Sequence, residues 1–154
     1  MPSEKSRYLN RYQGPASPVE FNELRERLRA LDKDCLVEMI WQRFGSDRVL
    51  RKAAVVAIAL RSAKDFEEAK SAIDYAFYFS DTVRYTDKGY GQILWEVKSA
   101  LEFFVEQGRM DFALSVGKYA VDEAELALES FEDDWDWQGP LIELREWVNK
   151  LAAR

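Results

Sequence analysis

Asp134, Asp136, Gln138 and Gly139 fall at positions 1, 3, 5 and 6 of the loop that wraps a calcium ion between two helices. Such a loop needs oxygen ligands at alternate positions, a glycine for its sharp turn and a bidentate glutamate at position 12. Position 12 is Arg145, so the pattern lacks its closing ligand. The segment reads as a polar turn between helices. Asp134, Asp136 and Gln138 are the residues a loosely held Mg²⁺ or Ca²⁺ would touch, and no cofactor is expected.

The same segment closes a run of acids, Asp122, Glu123, Glu125, Glu129, Glu132, Asp133, Asp134 and Asp136, with no basic residue among them. Negative charge at a helix C-terminus is unfavourable, so a chain that keeps it there can be using it. Trp135 and Trp137 sit among these acids. At least one of the two is expected to pack between helices, while an exposed tryptophan is a typical interface anchor. Glu129, Asp133, Asp134, Trp135, Asp136 and Trp137 are therefore the candidate contacts for a basic partner.

Composition removes most catalytic chemistry. There is no histidine and one cysteine, Cys35, so neither a Ser-His-Asp nor a Cys-His arrangement can be drawn within the chain, and the usual zinc ligand sets are absent. Cys35 falls in a helix's first turn beside Asp32 and Asp34, whose charges oppose a thiolate, and buried inert packing is expected. Carboxylates can do acid-base work without histidine. An enzyme or small-ligand binder using Asp74, Tyr78 and Tyr85 is thus the alternative, although no spacing singles out a carboxylate pair. The aromatics from Tyr75 to Phe79, with Tyr85 and Tyr90, fit a core better than a pocket.

The net charge of -6 is unevenly spread: residues 1–64 carry +5 and residues 65–154 carry -11. Arg25, Arg29, Arg48, Arg51 and Lys52 could form a basic surface, but they alternate with Glu23, Glu26 and Asp47 as on solvated helix faces. Nucleic acid is not the expected partner of so acidic a chain. The longest apolar run, Ala53 to Leu60, is too short to cross a bilayer. With a single cysteine and no apolar stretch near residue 1, a cytoplasmic location is expected.

Periodicity predicts an all-α fold of about seven helices packed as antiparallel hairpins, in a bundle or a short solenoid-like arrangement. An irregular arm is expected over 1–17 and a single helical domain over 18–154. Ser17 reads as the cap of a helix over 18–31, with Pro18 at its first position and Glu20 completing a capping box. Asp32 caps a second helix that stops at Gly45, and Ser46 caps a third near 47–61. A fourth, 64–79, places Phe66, Ala69, Ile73, Ala76 and Phe77 on one stripe. Ile93, Val97, Leu101 and Phe104 face inward on a fifth, 89–107, which ends at Gly108. The sixth spans 110–131, a turn covers 132–139, and Pro140 opens the seventh, which buries Leu141, Leu144, Val148 and Leu151. Gly108, Ala113, Gly117 and Ala120 let the fifth and sixth helices approach as in one tetratricopeptide hairpin, without a second copy at that period.

The segments Leu31-Asp32-Lys33-Asp34-Cys35-Leu36-Val37-Glu38-Met39-Ile40, Ala72-Ile73-Asp74 and Leu101-Glu102-Phe103-Phe104-Val105-Glu106-Gln107-Gly108-Arg109 resemble a bacterial all-helical family whose members often follow a SWIM-type zinc finger. The resemblance covers about residues 20–150. It implies a helical fold and supplies no active site, since the chain holds no zinc-ligand set. The function expected from the sequence is a non-enzymatic scaffold whose acidic C-terminal face binds a basic segment of another protein, or self-associates.

Overall fold

A computed structural model describes residues 16–78, 88–129 and 135–154, the side chains of 88, 89, 128, 129 and 135–138 excepted. The described residues form seven helices and no strand: α1 Phe21–Ala30, α2 Lys33–Ser46, α3 Arg48–Arg61, α4 Phe66–Phe77, α5 Lys88–Glu106, α6 Met110–Glu129 and α7 Trp135–Ala152. The expected all-α class is the observed one. The chain divides after Gln42 into two compact units.

Aspartate caps start α3 and α4, and two expectations are corrected. The Asp47 carboxylate accepts from the Leu50 N–H at 3.0 Å and starts α3; Ser46, expected there, instead donates its hydroxyl to the Arg43 carbonyl at 3.2 Å. An aspartate one residue further on takes the position because its side chain meets the third N–H of the new helix. Ser17 likewise forms no capping box. Its Oγ accepts from Val19 N–H in a local turn, and Glu20 occupies the N-cap without a side-chain bond. Asp65 caps α4 by accepting from Glu68 N–H at 2.9 Å, while the Glu68 carboxylate reaches back to the Lys64 N–H at 2.7 Å, close to the reciprocal pattern of a capping box. α2 passes through Gly45 to Ser46 rather than stopping at the glycine.

From α3 onwards the helices form two layers. α3 packs on α4 and α5, α5 on α6 and α7, α4 on α6, and α6 on α7. Thus α3, α5 and α7 lie side by side over α4 and α6, an alternation of the kind that stacked helical hairpins produce. The inward stripes meet between the layers. Val56 and Leu60 of α3, Ala69, Ile73 and Ala76 of α4, Leu94, Val97, Leu101 and Phe104 of α5, Val116 and Ala120 of α6, and Leu144 of α7 are all at most about 1% exposed. The expected stripes of α5 and α7 are buried throughout. Phe66, expected on the inner stripe of α4, is exposed instead and meets Tyr119 edge-on at 5.9 Å, because the cap at Asp65 puts it in the first turn.

Two glycines set the α5–α6–α7 geometry. Gly108 has φ +76°, a conformation other residues adopt at a cost. Its N–H donates to Val105 O, and Arg109 N–H donates to Phe104 O at 2.8 Å, which closes α5 as a Schellman motif. At Gly117, buried within α6, a Cβ would lie 2.9 Å from Val148 Cγ2 and 3.4 Å from Leu101 Cδ1. Only glycine lets α6 approach α7 this closely.

Candidate functional site

The acidic end of the chain is where the sequence placed partner binding. α6 carries Asp122, Glu123 and Glu125 in its last turns before Glu129. Asp133 and Asp134 lie outside the described residues, as do the side chains of Glu129, Trp135, Asp136, Trp137 and Gln138. The backbone from Trp135 through Arg145 is helical, so eleven of the twelve positions of the calcium-loop pattern are on α7 and do not form the loop that wraps an ion. α7 therefore begins a full turn before Pro140. Pro140, the sixth residue of α7, withholds one N–H from the Asp136 carbonyl and its ring crowds that carbonyl, as an interior proline does. Among the described residues no group of three or more Cys, Asp or Glu is placed to hold a metal ion.

Between α6 and α7, Lys118, Val121, Asp122, Arg145, Val148 and Asn149 line a shallow groove of about 230 Å³. That is below the usual size of a small-molecule pocket. One wall is fixed by charge: Arg145 Nη2 lies 2.6 Å from Glu125 Oε1, to which its Nε also donates at 2.9 Å. The groove offers a single carboxylate beside two cations and an amide. It is not the pair of convergent carboxylates that acid-base catalysis uses.

Asp74, offered with Tyr78 and Tyr85 for the enzymatic alternative, is engaged elsewhere. The Tyr119 hydroxyl donates a short hydrogen bond to Asp74 Oδ1, strapping α6 to α4. Burial, the Asp74 bond and the nearby Glu123 charge all push the Tyr119 phenol well above its usual pKa, so it stays protonated and cannot serve as a base near neutrality. Lys70 Nζ lies 5.8 Å from the centroid of the same ring. Tyr78 is 69% exposed, and its carbonyl accepts from Lys52. Tyr85 lies outside the described residues. Of the aromatics expected in the core, Phe77 and Tyr90 are buried but Tyr75 is half-exposed. Cys35, expected to be buried, is exposed.

Several of the basic side chains serve helix ends. Arg51 donates through Nε and Nη2 to the Phe44 carbonyl, at 3.0 and 2.6 Å, in the last turn of α2. Lys52 Nζ donates at 2.9 Å to the carbonyl of Tyr78, the C-cap of α4, and lies over the Tyr75 ring; burial lowers its pKa below the usual lysine range. Arg109 donates to the Ala63 and Lys64 carbonyls beyond the end of α3. Cations at helix C-termini meet the negative end of the dipole and carbonyls that the helix itself cannot satisfy. The charge asymmetry is thus in part a capping system.

The structure adds a feature that the sequence reading passed over. Each helix of the upper layer exposes a large apolar residue beside its buried stripe: Ile58 on α3 (67% exposed), Trp95 on α5 (59%) and Ile142 on α7 (47%). Val55 is also half-exposed, near Ile58. The signal was present, since Trp95 falls off the Ile93–Val97–Leu101–Phe104 spacing and an apolar residue there has no inward role. No known protein family, curated protein or solved structure matches the chain.

Proposed function

We propose that the chain is a non-enzymatic helical scaffold whose α5–α7 half binds a basic, partly apolar segment of another protein. The observation that carries this reading is Trp95, more than half exposed on a helix whose inner stripe is otherwise complete. Tryptophan offers a large apolar face and an indole N–H together, which is why it dominates interface energetics. Glu102, which pairs with Lys98 at 3.6 Å, and Glu106 follow on the exposed side of α5, and Glu143 and Glu146 lie on that of α7. Such a surface steers a cationic partner and lets an apolar anchor hold it. The acidic segment of Asp133, Asp134, Trp135, Asp136 and Trp137 extends the same chemistry, and membership of the helical family found beside SWIM-type zinc fingers is part of this proposal.

Capture experiments with the immobilised full chain test it. A specific partner should be retained at low salt and released as ionic strength rises. Trp95→Ser should lose it while keeping the helical circular dichroism spectrum. Retention that is indifferent both to salt and to Trp95→Ser overturns the reading.

A further inference from the structure

We draw no further inference here: the strongest candidate, the exposed apolar stripe of Phe21, Leu24 and Leu28 along α1, carries nothing because nothing in the structure shows what covers it.

Discussion

The guanidinium of Arg109 lies 3.9 Å from the centroid of the Phe112 ring, stacked where α6 begins, while its Nη1 and Nη2 donate at 3.3 and 3.2 Å to the carbonyls of Ala63 and Lys64. One side chain thereby ties the α5–α6 turn to the end of α3. It is positioned by the Schellman closure at Gly108, whose next residue, Arg109, donates its N–H to Phe104 and sits 5.4 Å from that ring as well. Phe104 and Phe112 meet edge-on at 4.9 Å, so the cation lies beside a fixed aromatic pair.

Arg109→Ala should cost about 2 kcal/mol of unfolding free energy, from the lost charged hydrogen bonds and cation–π contact together. Arg109→Lys should recover less than half, because an ammonium cannot span two carbonyls and stack on a ring at once. Urea denaturation of the two variants checks both values.

Tyr119 makes alkaline stability depend on one contact. Burial and the bond to Asp74 raise its pKa in the folded chain, so above pH ~10 the unfolded tyrosine loses its proton while the folded one keeps it. The folded state then binds more protons, and its stability is full below about pH 10 and falls as pH rises beyond it. Tyr119→Phe should cost about 1 kcal/mol at neutral pH and should lose stability less steeply than the wild type above pH ~10. Denaturant midpoints measured from pH 7 to 11 decide the matter.

Local features were legible in the sequence, and non-local ones were not. Leu141, Leu144, Val148 and Leu151 follow helical spacing and are buried, because a stripe is written into consecutive turns. Ser46 and Asp47 are both capping residues, and adjacent candidates can be separated only by where the backbone turns. Arg109 reaches a carbonyl 46 residues away, a distance no spacing rule spans. For the site, Trp95 could be seen as off-stripe, whereas Asp74's attachment to Tyr119 depends on α4 meeting α6. The acids at the end of α6 and the start of α7 were visible as charge but not as a helix start, since Pro140 mimics a first-turn proline from inside the helix.

The choice between Ser46 and Asp47 can be measured. Asp47→Ala should destabilise the chain by about 1 kcal/mol, the usual worth of an N-cap, with Asp65→Ala similar at the start of α4. Ser46→Ala should change stability by no more than a few tenths of a kcal/mol, because its hydroxyl only supplements a carbonyl at the end of α2. Thermal denaturation of the three variants ranks them; a larger loss from Ser46→Ala than from Asp47→Ala would contradict the assignment.

Two helical glycines should respond in opposite directions. Gly45 lies within α2, and a Cβ there meets nothing within 4 Å, so Gly45→Ala should stabilise the chain by about 0.5–1 kcal/mol through reduced backbone entropy of the unfolded state. Gly117 gains the same entropic term, but its Cβ would press on Val148 Cγ2 at 2.9 Å. Val148 is β-branched and buried, so it cannot rotate away, and α6 and α7 must part instead. Gly117→Val should therefore cost about 1–3 kcal/mol net. Pairing it with Val148→Ala, which opens the space that the new side chain needs, should recover part of the loss; a double-mutant cycle by chemical denaturation reads the coupling directly.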